Sequence, residues 1–511
     1  MRAHRLGVLV SLVLAGGTAL PAQTASPYVP IGYWGMPAIE HLIARHKLVD
    51  PAPLTRPLRA ADLVRALQAV DTMSLGAAER DLVGRILADL AVGEHGPSGR
   101  LEGHLGAAAA THALRDPLEL DRGVPVRAPG RSRGFVQGGL DLQLLFGSVA
   151  VVTHPTFDTR LKYDPDYEGK KDRVIAGRNA EAYISGQWRY GEVFFGSLDR
   201  NWGPPALQGL LISPSPYSYD HLAISIGTKG LRLEALLTQL DDVADTIGVA
   251  EHRYLVAHRL VVHPPGRTTF ALWEGDILAG AGRQLEPWYA NIATLGLLQQ
   301  YDQASSGNSL LGADVVTGVR SATVFGSLLI DDIQVDRGGG ANSGNNEPAS
   351  YGLTLGAQGG LGRLAWTGFY TRVANLTYRT PNPAEGVLRR GVGLARNFSD
   401  YDQLTLRGSA LVGPALLSPE VTLLRQGQGD FRLPYPPVAA YDTTAGFLAG
   451  VVQRTLRLAL GARVDRRAWS ASADGGVHVI HNAGHVAGAG MTRWVGKLEV
   501  TWRFGTAGAL P

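Results

Sequence analysis

Two stretches of this chain carry the residue mix that sugar recognition needs. The first is Asp199-Arg200-Asn201-Trp202, with Tyr217 and Tyr219 downstream. The second is Trp273-Glu274-Gly275-Asp276, followed by Arg283, Glu286, Trp288 and Tyr289. Aromatic faces stack on pyranose rings, and Arg, Asp, Glu, Asn and Gln bond hydroxyls or carboxylates. The candidate binding set is therefore Arg200, Tyr217, Tyr219, Arg283, Glu286, Trp288 and Tyr289. The same residue types also have a structural use. Trp and Tyr form girdles at membrane interfaces, and Arg–Glu pairs brace a barrel lumen.

Other chemistry is thinly represented. The sequence has no G-x-S-x-G, P-loop, H-E-x-x-H or C-x-x-C pattern. Asp331-Asp332 with Asp336, and Asp241-Asp242 with Asp245, offer oxygen ligands of the kind calcium takes. Neither follows the EF-hand spacing, and solvated turns explain both more simply. His41 and His46 stand at i and i+5, so they do not share a helix face. With Arg45 and Lys47 they read as a solvated outer face. The expectation is a non-catalytic chain with no metal and no cofactor. A lumenal hydrolase built on paired carboxylates is the weakest alternative.

The elements that must position these residues announce themselves by period. From Arg100 onward apolar residues alternate with polar ones, as in Leu231, Leu233, Ala235 and Leu237 against Arg232 and Glu234. Leu456 to Val464 alternates with Arg457 and Arg463, and the final run alternates with Lys497. Segments of about 10 residues joined by short turn signals are the signature of a transmembrane antiparallel β-barrel. The patterns predict 16 to 18 strands. Long connections fall at 153–179, 331–348, 374–400 and 427–442, and such loops belong on the extracellular side.

Residues 27–92 read differently. Pro37 opens a helix with Ile39, Leu42 and Ile43 on one face. Two more are predicted from about Arg59 to Val70 and from about Ala77 to Ala91, making a small bundle with its stripes turned inward. Ahead of them, Arg2, His4 and Arg5 precede an apolar run from Leu6 to Leu20, with a cleavage point after Ala22. That is a secretory signal. The domain reading is signal peptide 1–22, helical periplasmic segment 23–98, barrel 99–504 and a short tail 505–511.

Composition agrees with export to an outer membrane. There are 65 glycines and no cysteine in 511 residues, and the glycine share is close to twice the usual ~7%. An exported chain this size without disulfides needs a large core, a closed sheet or a membrane. The formal charge of +3 falls further once Arg2 and Arg5 are removed, and no basic block gives nucleic acid a footing.

Inside this frame the stretch from Gly191 to Asp220 stands out. It begins as a strand and breaks at Asp199-Arg200-Asn201-Trp202-Gly203-Pro204-Pro205. The break, followed by Leu210-Leu211-Ile212-Ser213, resembles the W-G-P-G … L-x-L-S segment of the Wzi-type capsule assembly family. Ser26-Pro-Tyr-Val-Pro-Ile-Gly-Tyr-Trp34 with Thr55-Arg-Pro-Leu58 is similar to that family's N-terminal segment. Trp273 to Asp276 with Pro287-Trp288-Tyr289 is similar to its next block. Pro205 replaces the family's second glycine, which makes the turn stiffer.

The resemblance implies an outer-membrane barrel of about 18 strands with a helical bundle at its periplasmic end. It also implies a blocked lumen, with Asp199, Asn201, Trp202, Gly203, Pro204 and Pro205 in the constricting loop. Gly496, Leu498, Val500, Trp502 and Phe504 look like the C-terminal signal that barrel-assembly machinery reads. The implied role is a surface lectin that binds and organises capsular or other extracellular polysaccharide, with outer-membrane lipids around it. A porin-like channel for sugars or small solutes is the alternative from a different class.

Overall fold

A computed structural model of the chain describes residues 25–90, 97–111, 134–164, 167, 169–204, 207–244, 248–302, 307–332 and 347–510. The expected signal segment, Pro205 and the glycine-rich stretch at 337–346 lie outside the described residues. No described helix is long and apolar enough to cross a membrane.

Three helices come first: α1 Met36–Ala44, α2 Ala60–Gln68 and α3 Ala77–Leu90. Each begins within a residue or so of its predicted start. Pro37 sits in the first turn of α1, where its missing N–H costs nothing. The stripes Ile39, Leu42 and Ile43, then Leu63 and Leu67, then Leu82, Val83 and Ile86 meet in one core, with Leu411 of the barrel against it. The outer face is less solvated than the sequence suggests. His41 is 2% exposed, and its Nδ1 lies 2.8 Å from Ser409 Oγ. Arg45 is ion-paired with Glu79 and donates to the Gly362 carbonyl at 2.9 Å. The bundle lies against the barrel, so three of the four residues read as solvent-facing are docking contacts: His41, Arg45, and His46, which is exposed but lies 3.3 Å from Arg267.

Eighteen long strands then close into one antiparallel barrel. The first six are β1 Ser98–Ala110, β2 Gly134–Phe146, β3 Val149–Asp158, β4 Ala176–Trp188, β5 Gly191–Ser197 and β6 Asp220–Gly227. Next come β7 Leu231–Gln239, β8 Ala250–Val262, β9 Thr268–Ala281, β10 Asn308–Val319, β11 Ala322–Asp332 and β12 Ser350–Leu361. The last are β13 Leu364–Val373, β14 Tyr401–Val412, β15 Ala415–Gln426, β16 Gln453–Asp465, β17 Trp469–His481 and β18 Gly490–Ala509. Every turn at the bundle end is short, such as 147–148, 320–321, 362–363 and 413–414. The opposite end carries the long connections, so chain polarity separates a periplasmic end from an outer end. The loop after β15 runs to residue 452, longer than predicted, because its later part is 3-10 and irregular backbone.

Alternation sorts the side chains. Leu101, Ile184, Leu272, Leu355, Leu458 and Leu498 are exposed on the outer wall, an apolar belt of the kind lipid covers. Charged residues on the inner positions brace one another. Arg259 lies 3.7 Å from Glu234 and 3.6 Å from Asp314. Arg457 lies 3.3 Å from Glu420, Arg463 2.8 Å from Asp465, and Lys497 is ion-paired with Glu499.

β18 closes the barrel onto β1, with Phe504 opposite Gly103 and Trp502 opposite Leu105. A Cβ at Gly103 would come within 2.4 Å of the Phe504 ring, so the glycine makes room for the aromatic. Leu498, Trp502 and Phe504 are exposed on the outer wall. The strand continues five residues beyond Phe504, pairing as far as Ala509 with Ser98. Most of the expected 505–511 tail therefore belongs to the sheet.

Candidate functional site

The interior is where the broken stretch after β5 does its work. Asn201-Trp202 forms a short antiparallel pair with Thr55-Arg56 of the N-terminal segment. Gly203 N–H donates to the Leu54 carbonyl at 3.1 Å, and Trp202 N–H to the Ile212 carbonyl at 3.0 Å. Gly203 has φ +151°, a conformation a side chain would strain. Asn201 staples the loop to itself, donating to the Leu207 carbonyl and accepting from Gly209 N–H, both at 2.8 Å. Trp202, Leu210, Leu211 and Ile212 then pack with Leu255, Trp273 and Tyr378 into an apolar core inside the barrel. Arg259 lies over the Trp202 ring at 5.2 Å.

The N-terminal partner is anchored equally firmly. Arg56 donates to Glu40 and Asp50, each at 2.8 Å. Burial works against its charge, but Asp50 and Glu40 outweigh that and raise its pKa. Tyr28 N–H donates to the Tyr183 hydroxyl at 2.9 Å, and the Tyr28 hydroxyl to Glu192 at 2.7 Å.

The candidate sugar-binding residues fall into separate places. Arg200 points at His221, with 2.6 Å between Nε and Nε2, and lies over the rings of Phe194 and Tyr28. Tyr217 is buried, donates to Asp164 at 2.8 Å and takes Arg178 on its face. Tyr219 is half-buried beneath Arg389. These three are clasps between loops and wall.

The second stretch lies on the outer wall. Trp273 faces the lumen core, so alternation turns Glu274 and Asp276 outward, above the apolar Phe270 and Leu272. The connection at 282–307, with α4 at Gly296–Asp302, folds back over them. Gly296 N–H donates to Glu274 Oε1 at 2.7 Å, and His258 Nδ1 lies 2.8 Å from the same oxygen. Tyr289 is fully buried against Val256 and Leu278. Arg283 pairs with Glu286 at 3.0 Å and donates to the Ala279 carbonyl. Trp288 is half-exposed on the strap's outer side.

A third surface, at the outer end, was not singled out from the sequence. Asp400 accepts backbone N–H bonds from Gly429 (2.9 Å), Leu448 (2.5 Å) and Ala449 (2.9 Å), organising the loop after β15. Burial leaves its carboxyl above the ordinary range, although those three donors pull it back. The loop carries Arg432, which reaches Asn397 at 2.9 Å, and Tyr435, whose ring stands edge-on to Tyr441 at 6.3 Å. Arg379 lies 6.0 Å from the Tyr435 ring, and Tyr435 donates to Glu347. Aromatic faces beside guanidinium and carboxylate groups are the chemistry that sugar recognition needs. The sequence signal was present in Phe431-Arg-Leu-Pro-Tyr435-Pro-Pro, a stiff aromatic stretch.

The acidic pairs are used as loop fasteners. Asp331 accepts Tyr378 N–H at 2.6 Å, and Asp241 accepts Arg390 N–H at 2.8 Å. Asp242 faces His252 at 3.1 Å, while Asp245 and Asp336 lie outside the described residues. Among the described residues no three His, Asp or Glu side chains converge into a metal-binding set.

No family model and no curated protein matches the sequence. A solved structure does. Wzi of Escherichia coli is similar over 91% of this chain and 97% of that one, with a TM-score of 0.59 and 12% identity. The chain has a Wzi-like fold. Wzi is described as an outer-membrane protein involved in group 1 capsule assembly and as a carbohydrate-binding β-barrel. OccK5 and OprD of Pseudomonas aeruginosa each match 80% of the chain at a TM-score of 0.44, with 9% and 10% identity. At that level they carry no argument. The barrel of about 18 strands, expected from period and resemblance together, is what the structure has.

Proposed function

We propose that this chain is an outer-membrane barrel that binds and organises surface polysaccharide at the cell exterior without catalysing a reaction. The observation that carries this reading is the plug across the lumen. The Trp202 core and its pairing with Thr55-Arg56 occupy the bore, which leaves the long-loop end as the working surface. There Arg379, Arg432 and the half-buried Tyr435, braced by the buried Tyr441, offer a stacking face and charged donors to a polymer. Weak contacts repeated along a chain of sugars supply avidity that no single contact has. The carbohydrate binding described for Wzi supports the same reading. Export by a cleaved signal, insertion by barrel-assembly machinery and placement among outer-membrane lipids belong to this proposal, and the apolar outer belt supports the last.

The test is retention of the purified mature protein on surface polysaccharide from its own host at low salt. Retention is expected, with Arg432→Ala plus Tyr435→Ala weakening it about tenfold, the scale of losing one stacking and one charged contact. Flow-through of the wild-type protein sinks the reading. Chain shortening of the polymer would point to a hydrolase instead.

A further inference from the structure

We propose that the barrel also holds an inward ligand site, a cavity for one or two sugar units bound as a hydrogen-bond donor. It lies between the N-terminal segment and strands β1 to β4 and β16 to β18, and its volume is about 840 Å³. That is the size of a small-molecule site. It is separate from the outer loops, and the inference does not rest on their role.

The wall of this cavity is built around carboxylates. Register places Glu102 opposite Asp141 on β1 and β2, and His154 opposite Glu181 on β3 and β4. Most charges lining the cavity are already spent. Arg100 is paired with Asp89 at 2.8 Å and Glu102 at 2.6 Å. Glu499 is held by Lys497 and Gln137. Glu181 is left over, and Asp141 is only partly satisfied, by Gln143. Glu181 is 6% exposed and makes no hydrogen bond or ion pair with any described group. Asp141 Oδ1 and His154 Nε2 are buried beside it without a partner. An isolated buried carboxylate is unfavourable unless something donates to it. Glu181 lines a space large enough for a ligand, with Asp141 and His154 in the same wall.

The local backbone is shaped for this. The register shifts between His154 and Pro155, leaving Ala180 as the extra residue of a β-bulge beside Glu181. Bulges re-aim side chains and recur next to functional sites. Pro155 has no N–H to give the ladder at that point.

The two ends of the cavity differ. At the outer end Arg178 donates to Ser218 Oγ at 3.0 Å and covers the Tyr217 ring, while Tyr217 donates to Asp164. That is a roof. At the bundle end the lining includes the exposed Arg65 and Gln68 of α2, with Trp34 and Arg503. The mouth therefore opens toward the periplasmic end. A ligand rich in hydroxyl or ammonium donors satisfies Glu181 and Asp141, and Trp34, whose ring takes Arg503 at 5.5 Å, stands near the mouth. An anionic sugar offers these two acids fewer donors and one more negative charge, and binds more weakly.

The experiment is titration of the full mature chain in detergent with three monosaccharide probes: glucosamine, glucose and glucuronate. Saturable binding is expected for glucosamine and for glucose, with glucuronate at least about tenfold weaker, the scale of one unfavourable charge contact. Glu181→Gln with Asp141→Asn should weaken glucosamine about tenfold and erase the preference over glucuronate. Barrel folding is checked by the heat-dependent gel shift, and retention on external polysaccharide should stay unchanged. The double variant carries less buried charge, so a folding defect is not its expected outcome. No saturable binding by any probe overturns the site, as does equal affinity for glucosamine and glucuronate, or indifference to the double substitution.

Discussion

His41 shows how a residue's neighbours set its chemistry. Its ring is enclosed between the bundle and the barrel, with Ser409 on Nδ1. Glu79 lies 3.7 Å from Nε2 but is already engaged by Arg45, whose positive charge also faces the imidazole. Burial first, and Arg45 second, lower its pKa from 6.5 to about 4, with the Ser409 contact working the other way. The sign follows by linkage. Between those values the unfolded chain binds a proton that the folded chain refuses. Stability is therefore complete above about 6.5 and lost as pH falls toward 4. The effect is on the order of 3 kcal/mol at most. His41→Gln should flatten the fall in denaturant stability of the bundle between pH 7.5 and pH 4.5. Parallel wild-type and variant profiles would remove His41 as the cause. The sequence shows the stripe of α1 but not this burial, because His41 lies off the Ile39, Leu42 and Ile43 face. Only the barrel packed on the other side encloses it.

At the scale of elements, strands were legible and the covering of their outer wall was not. Period two predicts the strands because lipid and lumen demand opposite side chains. It does not predict that a loop will return over a wall. Yet a trace of the strap is readable in β9. Outward positions 270 and 272 carry Phe and Leu, while 274 and 276 carry Glu and Asp. Charges there need a cover, and the strap supplies it. Gly296 is the tight point: a Cβ would fall 1.9 Å from Asp276 Oδ2. Gly296→Val is therefore expected to lift the strap. Trypsin cleavage after Arg283 should rise at least about tenfold, as expected when a local closed state loses one or two kcal/mol, with the barrel still folded by gel shift. Unchanged cleavage would show that the strap is not held there. The exposed Leu295 and Leu298 on its far side continue the apolar surface of the wall.

For the molecule as a whole the decisive question is whether the bore conducts. The plug is assembled from both ends. Residues 199–204 and 207–216 come down from the outer end, and Leu54 to Arg56 come up from the bundle end, where Arg56 is tied to Glu40 and Asp50. The sequence marks this join by the break at Trp202-Gly203-Pro204, but the partner across it is nearly 150 residues away, and no spacing rule reaches that far. Because each half holds the other, neither works as an independent gate. Arg178, over the Tyr217 ring, stands at the outer end of the cavity beside the plug. Wild-type protein in planar bilayers should therefore show no steady conductance. Deleting 203–212 removes Leu210, Leu211 and Ile212 from the core, together with the Gly203 to Leu54 bond, and should give discrete open steps. Large steady conductance from the wild-type protein would favour the channel reading. A silent deletion variant that still folds would mean that the N-terminal segment alone seals the bore.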